Sequence, residues 1–247
     1  MKKIHIITLI LILLPMSVIL AYATIGAKWS PYGPVGPING SVALGQATYG
    51  YDNSFRANIG SSANSIVEQA VAAWNGKSNF VYVTPASLDP FGGAGDPPGV
   101  PIRFDPTKKI VQYLPYGTIG VTYQTTNGGR MIAAPVFIFG VFSDGSLNSS
   151  MYTDPNYLRS VLTHELGHAT GLGHSNDPSA VMYPYINFPP IYIPSTDDIN
   201  GIRAIYGYNP PPLSPEEAID QFCSAIGLGS NDLLCLFVIC YFAGFCR

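Results

Sequence analysis

Charged residues are scarce in this chain of 247 residues, in which 12 side chains are basic and 15 are acidic. They make up 11% of the sequence, against roughly 25% in an average soluble domain. The net charge is −3 and no basic run occurs, which argues against a nucleic-acid-binding protein because such a protein needs a clustered cationic surface. A small net charge with 47% hydrophobic residues also excludes a disordered chain.

Cysteine is absent from residues 24–222 and occurs only near the C-terminus, at Cys223, Cys235, Cys240 and Cys246. The body of the chain must therefore be held together by packing, with or without a metal ion. An even number of cysteines in a short segment predicts two disulfides in an oxidising compartment, and their pairing stays open. The spacing lacks the paired Cys-x2-Cys of structural zinc sites.

The first 23 residues predict a secretory signal peptide. Lys2 and Lys3 precede an aliphatic run from Ile4 to Leu14, and Ala21-Tyr22-Ala23 has the small-x-small pattern of a cleavage site. An uncleaved membrane anchor is the alternative. We therefore expect a secreted, extracellular protein, with attachment to the cell surface as a second option.

Two further segments follow the body of the chain. Residues 209–215 predict a proline-rich linker, and residues 216–247 predict a separate, cysteine-rich hydrophobic segment. Its apolar run from Leu233 to Phe245 is shorter than the roughly 20 residues that span a bilayer. A disulfide-linked helical hairpin is the favoured interpretation, and membrane association through this segment is the alternative. We expect a monomer.

Short elements separated by long loops are predicted for residues 24–208, because the chain contains 26 glycines and 22 prolines. The strands are expected at Val42–Tyr51, Phe80–Val83, Ile102–Phe104, Ile119–Gln124 and Ile132–Phe142. Helices are expected at Ala63–Trp74, from Asp154 to Gly171 with Asp154 as N-cap and Pro155 at the first position, and at Thr196–Ile205.

The candidate catalytic motif is at residues 164–174, which read His-Glu-Leu-Gly-His-Ala-Thr-Gly-Leu-Gly-His. His164 and His168 are four residues apart and project from one helical face, so both can bind one metal ion. Gly171 permits a positive φ, which lets the chain leave the helix and bring His174 back as a third ligand. Three imidazoles with an open position describe a catalytic zinc site, with Glu165 beside it to hold a metal-bound water.

This motif resembles that of the metzincin metallopeptidases, in which a downstream methionine lies beneath the metal. Met182 matches that position, and the similarity extends to the matrixins through Ser175, the stretch Asp177–Pro184 and the ending Asp197–Gly207. The resemblance implies an α+β fold with a twisted mixed β-sheet, an active-site helix and a C-terminal helix. It also implies a zinc metalloendopeptidase that uses a zinc-bound water, one catalytic zinc ion and Glu165 as general base, with a protein or peptide as substrate.

The substrate pocket departs from the matrixin pattern. In many matrixins its wall reads Pro-x-Tyr, whereas here Tyr185 follows Pro184 directly. The strand around Ala133–Phe139 is proposed as an edge on which an extended substrate adds, with a buried sheet strand as the equal alternative. Calcium has no supporting motif, although Asp96, Asp105 and Asp144 lie in loops where it binds in principle.

Two other functions remain open. One is a secreted or surface protein that binds through its zinc site without turnover, against which Glu165 counts because a pure binding site needs no base. The other is a hydrolase that acts on small peptides or on cell-wall amides. The sequence does not separate this second function from proteolysis.

Overall fold

The structure, a computed structural model, describes residues 23–29, 45–83 and 99–209 and four helical positions, Glu217, Asp220, Gln221 and Ser224. Almost all of the predicted signal peptide and of the linker, the segment around Asp96 and the four cysteines lie outside the described residues. Within the described residues, no helix is both long enough and apolar enough to span a membrane.

The described strands are β1 (Gly45–Tyr51), β2 (Phe80–Val83), β3 (Val100–Asp105), β4 (Gly120–Thr122), β5 (Thr125–Asn127), β6 (Arg130–Ala133) and β7 (Val136–Phe139). The described α-helices are α1 (Asn53–Ile59), α2 (Ala63–Trp74), α3 (Ser149–Thr153), α4 (Pro155–Thr170) and α5 (Thr196–Tyr206). The predicted bounds of α2 and β2 are confirmed, and those of α5 differ by one residue.

Five of these strands form one mixed sheet in the order β2-β1-β3-β7-β4. The pairs β1–β2, β1–β3 and β3–β7 are parallel, whereas β4 runs antiparallel to β7. The expected α+β fold with a mixed sheet is therefore confirmed. Of the two interpretations of residues 133–139, the substrate edge is wrong and the buried strand is right for β7, which lies between β3 and β4. Strand β4 is the edge strand on this side of the described sheet, and β2 is the edge on the other side.

The single strand predicted at Ile132–Phe142 is divided in the structure into β6 and β7, which belong to different sheets. Ala134 and Pro135 separate them, and Pro135 has no N–H with which to continue a ladder. Its carbonyl accepts from Tyr123 N at 3.0 Å, and Ala134 N donates to Gly99 O at 2.8 Å. The chain thus leaves the β5–β6 hairpin at this point and enters the interior of the larger sheet.

Helix α4 is anchored to the core by three buried aromatic donors. The three hydrogen bonds to helical carbonyls run from Trp29 Nε1 to Ala169 O at 2.6 Å, from Trp74 Nε1 to Thr163 O at 2.8 Å and from Tyr82 OH to Leu166 O at 2.5 Å. The carbonyls of Thr163 and Leu166 have a second lone pair, so they can accept these bonds in addition to a helical N–H. Ala169 O lies in the last turn, where the Trp29 indole replaces a helical donor because Gly173 N donates to Ala23 O. Three separate segments of the chain therefore fix the axial position and the rotation of α4.

Candidate active site

Helix α4 begins as the sequence predicts. Asp154 is its N-cap, and the carboxylate accepts from the backbone N–H groups of Asn156 and Tyr157 at 2.9 and 3.1 Å. Pro155 occupies the first helical position, where its missing N–H has no helical partner to lose. The helix then continues through His164 and His168, whose rings lie 4.7 Å apart between centroids.

A left-handed turn at Gly171 returns the chain to this face of the helix. Gly171 has φ 109°, and its N–H donates to His168 O at 3.0 Å. A side chain at Gly171 would also place its Cβ 2.6 Å from Ala27 O. Glycine is therefore required both for the backbone conformation and for the contact with the N-terminal segment. The turn brings the His174 ring to 4.8 Å from that of His168 and 5.4 Å from that of His164.

The three histidines form a site that fits a metal ion. One nitrogen of each ring lies within 4.8 Å of one nitrogen of each of the others. His164 Nδ1 contacts Val181 O at 2.7 Å and His168 Nδ1 contacts Leu172 O at 2.9 Å. Because a carbonyl only accepts, each Nδ1 carries the proton and each Nε2 keeps a free lone pair. This donor set, three imidazoles of which two have a fixed tautomer, suits zinc.

Burial keeps two of these rings neutral. It lowers the pKa of His164 to about 3 and that of His168 to about 4. For His164 a second cause is repulsion from the neighbouring His168 ring, whereas the Val181 carbonyl raises the pKa slightly. Burial also lowers the pKa of His174, which is more exposed. A metal ion would therefore meet few protons to displace at neutral pH.

Glu165 points from the same helix toward the edge strand β4. Its side chain is only 5% exposed, and its carboxylate accepts from Thr122 Oγ1 at 2.7 Å. Burial raises the pKa of Glu165 to about 7, and the Thr122 hydrogen bond partly opposes that shift. A carboxyl group with such a pKa suits both uptake and release of a proton at neutral pH.

Met182, the methionine that the resemblance assigns to the metal site, is buried against helix α4. A Cβ added to Gly167 would overlap Met182 Sδ and would lie 2.7 Å from Trp74 Cζ2. Gly167 thus lets the methionine and the indole pack directly against the backbone of α4. Met182 O also accepts from Ser175 N at 2.8 Å, which connects the methionine turn to the loop that carries His174.

Asp198 is a site residue that sequence reasoning missed. It lies in the first turn of α5, where a negative charge is favourable to the helix dipole, and the structure buries it to 1% exposure. Its carboxylate accepts from Val181 N, Met182 N and Ser195 N at 2.8, 3.0 and 2.7 Å. These bonds fix the turn whose carbonyl holds His164. No pattern in the sequence separates this role from an ordinary helix-capping one.

A cleft of about 1030 Å³ opens in front of the histidines and Glu165. Strand β4 forms one wall, and the segment that contains Pro184 and Tyr185 forms the other. Tyr185 is 72% exposed, so its ring stands at the rim of the cleft. Among the described residues that line the cleft, the histidines and Glu165 are the only ionisable groups apart from tyrosine.

Two of the aspartates considered for calcium have local partners instead, and Asp105 lies at the end of strand β3 and not in a loop as expected. Asp105 accepts from Thr107, and Asp144 accepts from Ser146, each through a backbone N–H and a hydroxyl. Among the described residues, the three histidines are the one group of potential ligands close enough to hold a metal ion. Asp96 lies outside the described residues.

The helix with two histidines, the left-handed turn, the third histidine and the buried methionine define a metzincin-type zinc metallopeptidase domain. A family model described as Matrixin matches residues 46–207. The chain therefore belongs to the matrixin family.

Curated relatives agree with this assignment. The chain is 39% identical to metalloendoproteinase 1 of Glycine max over 39% of its own length and 31% of that protein. It is 34% identical to interstitial collagenase B of Mus musculus over 49% of this chain and 28% of the relative. Matrix metalloproteinase-27 of Homo sapiens is 53% identical over 23% of this chain and 12% of the relative. The matches thus span less than a third of each relative.

Proposed function

We propose that this protein is a secreted zinc-dependent endopeptidase that hydrolyses peptide bonds in unfolded or extended polypeptides. The observation that carries the proposal is the convergence of His164, His168 and His174 within 4.8 Å, next to the buried carboxylate of Glu165 in an open cleft. Membership of the matrixin family supports the same activity. Secretion rests on the N-terminal sequence and on the family, and localisation of the expressed protein tests it.

The three histidines would hold zinc through their Nε2 atoms, because two of the Nδ1 atoms are engaged by carbonyl groups. Bound zinc supplies a Lewis acid, which lowers the pKa of a water molecule to about 7 and polarises a carbonyl group. Met182 supports the floor of the site, and Gly171 shapes the turn to His174.

Glu165 is the proposed general base. Its carboxylate accepts a proton from the attacking water and then delivers it to the leaving amine, which balances the hydrolysis. The burial that raises its pKa to about 7 makes both transfers accessible near neutral pH. A closed binding site would have no use for this group, so Glu165 favours turnover over the alternative of a zinc-site binding protein.

The substrate is expected to lie between the two walls of the cleft. Among the described strands, the edge strand β4 pairs only with β7, so its other side has no described strand partner. An extended peptide can pair with that free side through backbone hydrogen bonds. Pro184 and Tyr185 would form the opposite wall and contact the substrate side chains. A cleft open to extended chains favours endopeptidase activity over the hydrolysis of small peptides or cell-wall amides.

The purified protein tests this proposal directly. We expect about one zinc ion per chain and cleavage of an unfolded protein that stops when a chelator removes the metal and returns when zinc is restored. Glu165→Gln should retain zinc but lose cleavage by a factor on the order of 10³ or more.

The outcomes separate the alternatives. Zinc binding without cleavage of any protein, peptide or cell-wall substrate would support the non-catalytic protein. Cleavage confined to short peptides or cell-wall amides would support the second alternative. Full activity in the Glu165→Gln variant would refute the assignment of the base.

A further inference from the structure

Thr122 contacts Glu165 in a way that the proposed function does not yet use. This residue ends the edge strand β4, and its hydroxyl lies 2.7 Å from Glu165 Oε2 and 2.9 Å from Glu165 O. Both contacts cross from the strand to helix α4, over 43 positions of sequence. One threonine side chain therefore joins the substrate wall of the cleft to the proposed base.

Gly120 complements this contact from the same strand. A Cβ at Gly120 would lie 2.7 Å from Glu165 Oε1 and 2.9 Å from Glu165 Cγ. Residues 120 and 122 are two apart, so they share one face of the strand. The carboxylate thus lies across β4, with Oε1 against the space left by the glycine and Oε2 at the threonine hydroxyl.

Among the described residues, Thr122 is the hydrogen-bond donor to the Glu165 carboxylate. A buried carboxylate without a donor would be poorly solvated and free to rotate. The bond to Oε2 removes that freedom and leaves Oε1 as the oxygen available for a second partner. In the proposed reaction that partner is the attacking water.

The hydroxyl has one proton but two acceptors, and both belong to Glu165. It can donate to Oε2 while the carboxylate is ionised. When Glu165 holds the proton taken from water, the hydroxyl can turn to donate to Glu165 O and accept from the carboxyl group. Rotation about one bond therefore keeps the proposed base hydrogen-bonded in both of its states.

We propose that Thr122 is a positioning residue for catalysis, which orients the Glu165 carboxylate from the strand that binds the substrate. This inference rests on the proposed function, because it assigns a partner to the same base. Its side chain contacts Glu165, while one side of the β4 backbone has no partner among the described strands and can pair with a substrate. Loss of the hydroxyl should therefore lower kcat and leave KM nearly unchanged.

Thr122→Val removes the hydroxyl at nearly constant volume, and Thr122→Ser restores it. We expect Thr122→Val to lower kcat about tenfold or more, the usual effect of one hydrogen bond to a charged group. Its zinc content and its KM should stay within about twofold of the wild type. Thr122→Ser should recover kcat to within about threefold of the wild type.

Thr126→Val provides the matched control, because Thr126 is exposed on β5 and does not line the cleft. It should retain the wild-type kcat. A Thr122→Val protein with unchanged kcat would overturn the inference, and so would one that loses zinc together with activity. An inactive wild-type protein would instead refute the proposed function, so the two failures are distinguishable.

Discussion

Replacement of Asp198 by asparagine tests how the methionine turn supports the candidate metal site. The carboxylate accepts from Val181 N and Ser195 N through Oδ2 and from Met182 N through Oδ1. Asparagine has only one acceptor oxygen. In the better of the two amide orientations, the asparagine oxygen replaces Oδ2 and keeps the bonds from Val181 N and Ser195 N. The NH2 group then replaces Oδ1 and faces Met182 N, a second donor, which lies 3.0 Å from Oδ1 in the native protein.

The expected loss follows from this geometry. One bond to a charged acceptor disappears and the two others become neutral, which together cost about 2–4 kcal/mol of unfolding free energy. In a domain of this size that corresponds to a Tm lower by roughly 5–12 °C. Val181 O also holds His164 Nδ1, so we expect zinc affinity to fall by roughly 10–100-fold, as when outer-shell partners of a ligand are changed.

Zinc affinity is measured by competition with a chromophoric chelator, and Tm by circular dichroism. Asp144→Asn is the control, because both bonds from Ser146 go to one oxygen of an exposed carboxylate and an asparagine oxygen can keep them. The control should change Tm by no more than about 1–2 °C. If Asp198→Asn left Tm and zinc affinity equal to those of the control, the support assigned to Asp198 would be wrong.

Three further predictions concern the packing of α4, the protonation of the site and the substrate. Trp29→Phe removes the indole donor to Ala169 O and leaves a small cavity, so urea unfolding should show a loss of about 2–3 kcal/mol. In the metal-free protein, burial lowers the pKa of His164 to about 3 and that of His168 to about 4, whereas both titrate at 6.5 when the chain is unfolded. Below pH 6.5 the unfolded state therefore binds more protons than the folded state, which lowers the stability of the folded protein. Folded Glu165 opposes this effect by binding a proton below about pH 7. From pH 7 to 5 the metal-free protein should therefore lose roughly 2 kcal/mol in urea unfolding, and metal-free Glu165→Gln roughly 4 kcal/mol; equal losses in the two proteins would contradict these assignments. Finally, apart from Glu165 and the three histidines, the described lining of the cleft holds no acidic or basic side chain that could pair with a charged substrate residue. Lysine or glutamate next to the scissile bond should therefore lower kcat/KM about tenfold in a peptide series, and equal rates would contradict this.

The sequence predicts those parts of the site that depend on local spacing. Histidines four apart on a helix share a face, and Gly171 signals the left-handed turn that returns His174. The N-cap at Asp154 and the bounds of α2 also follow from neighbouring residues. Each of these features is encoded within one or two helical turns, so periodicity and capping rules reach it.

Features that depend on distant pairing were missed. The role of Asp198 requires contact with residues 181 and 182, and the role of Thr122 requires contact across 43 positions. Sequence order does not show which strand lies at a sheet edge, so residues 133–139 fitted a substrate edge and a buried strand equally well, and the structure places β4 at the edge beside β7. One local signal was available but overlooked, because Asn127-Gly128-Gly129 has the glycines of a tight hairpin turn and joins β5 to β6.

Uncharged groups, and not ion pairs, hold the histidines of this site and their helix in position. His164 and His168 are oriented by backbone carbonyls, and their helix is fixed by aromatic donors that also end on carbonyls. Such dipoles are set by the backbone fold and are not screened by salt as exposed ion pairs are. Among the described residues, Glu165 and Asp198 are the buried charged side chains, and each accepts hydrogen bonds from neutral donors inside the protein. At this site, uncharged groups therefore hold the two carboxylates whose chemistry burial changes.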